Sequence, residues 1–249
     1  MNQRSEFKQE ISPMRHPTIM INNHLIQEQV DPGVFIMGDT HGFFKVFHEL
    51  KKLAPVNRNI PMIFIHVGDF GYWPGHMDSY PKDFPWPIYF IEGNHEYYPW
   101  IRTHREEITE VRNNLFYVPR GTTMEINGKT FGFIGGAFSP DKMQRKEEID
   151  WWRDEEVTDN DIQKLMDKKI DVLVTHTPPA NVILRNFGPL NISYWDLPVG
   201  TVDYSALRIE KLWGALGQPQ MFCGHMHRIV QDGNCRILDI NEVIRWEPL

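Results

Sequence analysis

Residues 35–44 read FIMGDTHGFF. The apolar run Phe35-Ile36-Met37 stops at Gly38, and Asp39, Thr40, His41 and a second glycine follow. Such a run, closed by glycine, reads as a strand buried on both faces. The carboxylate and the imidazole at its end are both metal ligands and both acid–base groups, and a strand end is a rigid mount for either. The layout returns four times: MIFIHVGDFG at 62–71, WPIYFIEGNHE at 86–96, IDVLVTHTPP at 170–179 and MFCGHMH at 221–227.

Helical patterns lie between these runs. Residues 43–53 put Phe43, Val46, Phe47 and Leu50 on one face. Residues 158–169 open with Thr158 and carry Asp161 three positions on, which resembles a capping box. Residues 202–217 have apolar side chains at helical spacing and end near Gly217. The stretch 122–136 differs, because Asn127-Gly128 between two β-rich runs signals a hairpin. TIMIN at 18–22 reads as a short strand, DPG at 31–33 as a turn and residues 1–17 as a loose extension. With no Ser/Gly-rich linker and no repeat, 1–249 reads as one α/β domain. In open α/β sheets functional groups gather beyond the carboxyl ends of the strands. All five polar clusters are therefore expected at one edge.

The chain has 249 residues and a formal net charge of −7. That balance gives no electrostatic case for long nucleic acid, which is usually met by a basic surface. The N-terminal stretch lacks the apolar core of a secretory signal, and no run approaches the ~20 apolar residues of a membrane span. Cys223 and Cys235, the two cysteines, read as reduced thiols of a cytoplasmic protein. No membrane partner is expected.

The candidate ligands are Asp39, His41, Asp69, Asn94, His95, His176, His225 and His227. Taken singly each has a plain reading: Asp-Thr-His after a strand is a common turn, and Gly-Asp alone carries little. The conjunction carries the weight. Of eleven histidines, five follow apolar runs in these clusters; His16, His24, His48, His66, His76 and His104 read as surface or core. Carboxylate, imidazole and amide oxygen without thiolate suit borderline divalent ions. Seven ligands exceed one tetrahedral zinc and suit two ions ~3.5–4 Å apart sharing a carboxylate.

The set GDTHG, GDF, GNHE, THTPP and GHMH, spread over residues 34–230, resembles the signature of calcineurin-like metallophosphoesterases. The resemblance implies a four-layer αββα sandwich of two mixed sheets flanked by helices. It implies that Asp39, His41, Asp69 and His227 hold one ion and Asp69, Asn94, His176 and His225 the other, with Asp69 bridging. Manganese is the first expectation, with iron, zinc and nickel as alternatives. The implied reaction is phosphate-ester hydrolysis by a hydroxide between the ions, with His95 as general acid.

One departure stands out. The Ser/Thr phosphatase branch has a second motif resembling GDxVDRG, but Tyr72 and Trp73 stand where its second Asp and its Arg would be. A phosphate-binding cation must come from elsewhere, and Arg145, with Asp141 and Lys142 in the segment 135–156, is one source. Asn94, Arg145, Tyr72 and Trp73 are the expected substrate contacts. The aromatics of these loops read mainly as packing, with stacking on a base or aryl group as the alternative. The substrate is a phosphorylated small molecule, nucleotide or phosphoprotein, and both phosphodiester and phosphomonoester remain open. A catalytically silent scaffold of the same fold is the contrasting reading, but such a chain should have lost ligands and here every position is filled. A single-zinc hydrolase would leave several of the clustered groups unexplained.

Overall fold

The computed structural model describes residues 20–21, 24–25, 33–52 and 62–248. The readings for 1–17 and most of 18–33 lie outside them. The strands in chain order are β1 (Met20–Ile21), β2 (His24–Leu25), β3 (Gly33–Met37), β4 (Met62–His66), β5 (Ile88–Phe90), β6 (Thr109–Arg112), β7 (Leu115–Tyr117), β8 (Thr123–Ile126), β9 (Lys129–Ile134), β10 (Val172–Thr175), β11 (Gln220–Cys223), β12 (Val230–Asp232), β13 (Cys235–Ile237) and β14 (Val243–Arg245). The described helices are α1 (Lys45–Lys52), α2 (Tyr98–Ile101), α3 (Asp159–Met166), α4 (Ala180–Phe187) and α5 (Tyr204–Ala215).

Each of the five apolar runs is a strand, and together they form the parallel centres of two mixed six-stranded sheets. The first sheet runs β14-β3-β4-β5-β7-β6 and the second β12-β13-β11-β10-β9-β8. Strands β3, β4, β5 and β7 are parallel, with β14 and β6 antiparallel at the edges. In the second sheet β9, β10, β11 and β13 are parallel, with β12 and β8 antiparallel outside them. The hairpin at 122–136 is β8–β9, turning through Asn127 and Gly128, both at positive φ.

Side-chain alternation sorts the layers. Val34 and Ile36 of β3 face the second sheet, where Phe131, Phe133, Val172 and Val174 meet them. Phe35 and Met37 face the other way, onto Phe44 and α1 residues Val46, Phe47 and Leu50. On the far side of the second sheet, Leu173, Met221 and Ile237 pack on Ile162 and Leu165 of α3 and Ile209 and Leu212 of α5. The result is helix, sheet, sheet, helix, as expected. Thr158 caps α3 in a reciprocal box with Asp161. Asp203 caps α5 by accepting from the Ala206 N–H at 2.9 Å.

Phe43 is a correction. Its amide is still closing a turn onto the Thr40 carbonyl at 2.8 Å, so α1 begins later. Phe43 is 72 % exposed and Phe44 takes the buried place. Most of the other loop aromatics do pack inward: Tyr98 and Trp152 are fully buried, and Tyr72, Trp73, Tyr97 and Trp100 pack against the same core. Cys223 and Cys235 are free and buried on adjacent strands, with sulfurs 3.7 Å apart. Among the described residues no helix is long and apolar enough to cross a membrane.

Candidate metal centre

All the candidate ligands leave the carboxyl ends of central strands. Asp39 and His41 follow β3, Asp69 follows β4, Asn94 and His95 follow β5, His176 follows β10, and His225 and His227 follow β11. Backbone bonds lock the loops together. The amides of Thr40 and His41 both donate to the Asp69 carbonyl, at 3.0 and 2.8 Å, and Gly224 N–H donates to the His176 carbonyl at 3.0 Å.

The turns are tight enough that His41, Asp69, His225 and His227 all adopt positive φ, between 48° and 67°. Non-glycine residues in that region are held there by their surroundings and concentrate at functional sites. Two glycines make room for the carboxylates. A Cβ on Gly93 would stand 2.0 Å from Asp69 Oδ1, and one on Gly224 would stand 1.9 Å from Asp39 Oδ1.

One compact group of candidate ligand atoms results, and a second set of candidates lies beside it around Asp69. In the first, donor atoms of Asp39, His41, Asp69 and His227 all lie within 4.8 Å of one another. His41 and His227 bring their Nε2 atoms to 2.9 Å, and His227 Nε2 is 3.2 Å from Asp39 Oδ2. In the second, His176 Nε2 is 3.4 Å from Asp69 Oδ2 and 3.2 Å from Asn94 Oδ1, and the His225 ring lies 5.1 Å from the His176 ring. The residues fit divalent ions on chemical grounds. Asp39 Oδ1 is buried with no hydrogen-bond partner, and converging imidazole, carboxylate and amide donors suit borderline metals.

The electrostatics reflect the same crowding of carboxylates and imidazoles around Asp69. Burial alone would raise Asp69, but His176, followed by His95 and His41, holds its carboxyl well below the usual range. Burial likewise opposes protonation of His176, yet the Asp69 carboxylate outweighs it and holds this imidazole up at about 10. Burial, with His176 next, keeps His225 well below its ordinary value and therefore neutral.

A support layer that the sequence did not announce lies behind the ligands. His176 Nδ1 is 2.9 Å from the Val67 carbonyl, which leaves Nε2 for the centre. Asn94 Nδ2 donates to Ser139 Oγ at 3.0 Å, which turns its Oδ1 toward His176. Ser139 in turn bonds Glu155 and Arg145, and Arg145 donates to the Asn94 carbonyl at 3.2 Å and to Glu155 at 2.9 Å. Glu96 ties two motif loops together by accepting from Gly71 and Gly93 N–H groups, at 3.1 and 2.6 Å. Under the β5 loop, buried Arg120 pairs with Glu92 at 2.6 Å. Glu96 stands inside a recognised motif, but nothing local in the sequence marks Glu92, Arg120 or Ser139.

His95 donates its amide to Asp69 Oδ1 at 2.9 Å, and its ring is 5.4 Å from that of His41. Trp73 Nε1 donates to the His95 carbonyl at 2.8 Å. Tyr72 packs on Trp100, with ring centroids 4.6 Å apart. Lys142 lies over the Phe138 ring at 4.5 Å. The centre opens into a cleft of about 760 Å³, with Asp69, Asn94, His95, His225 and His227 at its floor. Asp141 borders it, whereas Tyr72, Trp73 and Arg145 are not among the described residues that line it.

The family model described as calcineurin-like phosphoesterase matches residues 33–228. The chain belongs to the calcineurin-like phosphoesterase family. No curated protein matches the chain. One crystal structure is similar to this chain at 13% identity and a TM-score of 0.46, covering 86% of this chain and 91% of that one. Every motif and every candidate ligand of this calcineurin-like chain falls inside the matched span.

Proposed function

We propose that this chain is a dinuclear metal-dependent phosphoesterase, hydrolysing phosphate esters with His95 as general acid. The observation that carries the reading is the position of Asp69. Its Oδ2 lies 3.7 Å from His41 Nε2 in one group and 3.4 Å from His176 Nε2 in the other. A carboxylate in that place is what two neighbouring cations would share. Asp39, His41 and His227 complete one ligand set, and Asn94, His176 and His225 the other. Two divalent ions held there, manganese first, would supply an activated water and neutralise charge building on the phosphoryl oxygens.

The protein's own groups supply the rest. Asn94 presents its amide oxygen to the centre because Ser139 holds the nitrogen. Both backbone ends of His95 are tied, to Asp69 and to Trp73, so its ring keeps its place beside the cleft. From there it can protonate the oxygen of the departing alcohol or phenol. Among the described residues no carboxylate is paired with the His95 ring. Arg145 is engaged with Glu155, Ser139 and Asn94, so its support for phosphate binding is indirect, through Asn94.

The reading takes 1–249 as one domain, supported by β14, which returns from the C-terminal region to pair with β3. Reduced, buried Cys223 and Cys235 fit a cytoplasmic setting. The test is elemental analysis after manganese or zinc reconstitution, paired with a screen of bis-(p-nitrophenyl) phosphate, p-nitrophenyl phosphate, cyclic nucleotides and dinucleotides. Two ions per chain and metal-dependent turnover are expected. One ion per chain, or full loading with no turnover of any ester, would sink the reading.

A further inference from the structure

The cleft above the centre has a composition that ester hydrolysis does not by itself require. At about 760 Å³ it lies within the roughly 300–1,000 Å³ of small-molecule sites. One wall is α4, which contributes Ile183, Leu184 and Phe187, and Leu207 of α5 and Trp195 face the same space. Of the α4 side chains only Val182 is fully buried in the core. Leu184 remains 60 % exposed and Leu207 45 %. The helix thus turns a second apolar face to the cleft, continuous with the floor that carries His95.

Charge narrows the occupant further. Away from the floor, the charged side chains lining the cleft among the described residues are Asp141 and Asp203, with no lysine or arginine. Asp141 is itself paired with Arg145 at 3.2 Å, so a leaving group bearing a second phosphate or a carboxylate would gain no free cation from the described lining. A sugar would bury hydroxyls against aliphatic walls, where unpaired polar groups are costly. An uncharged hydrocarbon or aryl group would instead cover the exposed leucines and gain from leaving water.

We propose that the cleft is a leaving-group pocket, selecting phosphate esters whose departing alcohol or phenol is uncharged and largely apolar. This rests on the phosphoesterase reading. It sets the substrate class through Leu184, Leu207 and their neighbours, with no lysine or arginine among the described lining residues to draw an anion.

The test uses the full chain loaded with manganese and two aryl leaving groups of similar acidity, 4-tert-butylphenol and 3-(4-hydroxyphenyl)propanoate. Both are supplied as phosphate monoesters and as methyl diesters. The expected kcat/KM ratio favours the tert-butyl ester by at least ~10-fold. Leu207→Asp, and separately Leu184→Asp, should bring the ratio toward one, chiefly through KM. Free 4-tert-butylphenol should bind the metal-free chain in saturation-transfer NMR, and either variant should abolish the signal. Equal rates for both esters in the wild type would overturn the pocket and leave hydrolysis standing. Phenol binding that is lost in the variants, without turnover of any ester, would support the apolar pocket and count against the hydrolytic reading. A dimer dissociated by Leu207→Asp with the ester ratio unchanged would make this face a subunit contact and overturn the proposal.

Discussion

Asp69 Oδ2 stands 3.4 Å from His176 Nε2, two fully buried groups from different sheets. Asp69 follows β4 and His176 follows β10, so the contact bridges the sandwich at its functional edge. Asp69→Asn keeps an acceptor for the His95 amide but removes the charge shared by both ligand groups. Turnover should fall at least ~10³-fold, more than for any ligand of one group alone. Near-normal rates at full metal occupancy would refute the shared role.

Ser139→Ala should loosen the Asn94 amide, since Ser139 Oγ accepts its Nδ2 hydrogen at 3.0 Å. Metal affinity of the group containing Asn94 should drop ~10–100-fold, the usual cost of losing a group that orients a ligand. The ion on the His41 side should be little affected. Competitive chelator titration resolves the two, and parallel weakening of both sites would contradict the assignment.

His95→Ala should slow esters with poor leaving groups by ~10²–10⁴. Esters of nitrophenols need little protonation and should lose much less. Matched kinetics across a leaving-group series decide the matter. Equal losses throughout would mean that His95 positions the substrate or a metal and donates no proton.

Arg120→Met should destabilise the fold by about 3–5 kcal/mol, because it strands buried Glu92 without its partner. Urea unfolding of the metal-free protein measures it. A loss below about 1 kcal/mol would show that the pair contributes no more than an exposed one does.

Asp203 carries a pH dependence. Burial raises its carboxyl to about 6, with Glu156 adding to this and the Ala206 N–H and Lys142 opposing it. A carboxyl raised on folding contributes stability below its unfolded pKa and loses it as pH rises through the folded value. Asp203→Asn keeps a helix-capping oxygen and removes the titration. Relative to wild type, the variant should gain stability as pH rises from roughly 4 to 7. Urea midpoints that run parallel across that window would exclude the effect.

The sequence alone determined the five central strands, the hairpin, the cap of α3, and which histidines cluster. These are local signals: short apolar runs, Asn-Gly, Thr158 with Asp161, and polar residues directly after strands. α1 starts later than its hydrophobic spacing predicts, because a turn closes first on the Thr40 carbonyl and hydrophobic spacing does not register a backbone bond. Tertiary structure decided what lies behind and above the centre. Ser139 reaches Asn94 across 45 residues, Arg120 reaches Glu92 across 28, and Thr40 and His41 bond the Asp69 carbonyl from another strand. Nothing in the neighbourhood of any of these residues marks its partner. The same holds for the cleft: Leu184 and Leu207 have the helical spacing of core residues, and only the packing of α4 and α5 leaves them facing open space. Hydrophobic periodicity specifies that an apolar face exists, whereas the surface it meets depends on how distant elements assemble.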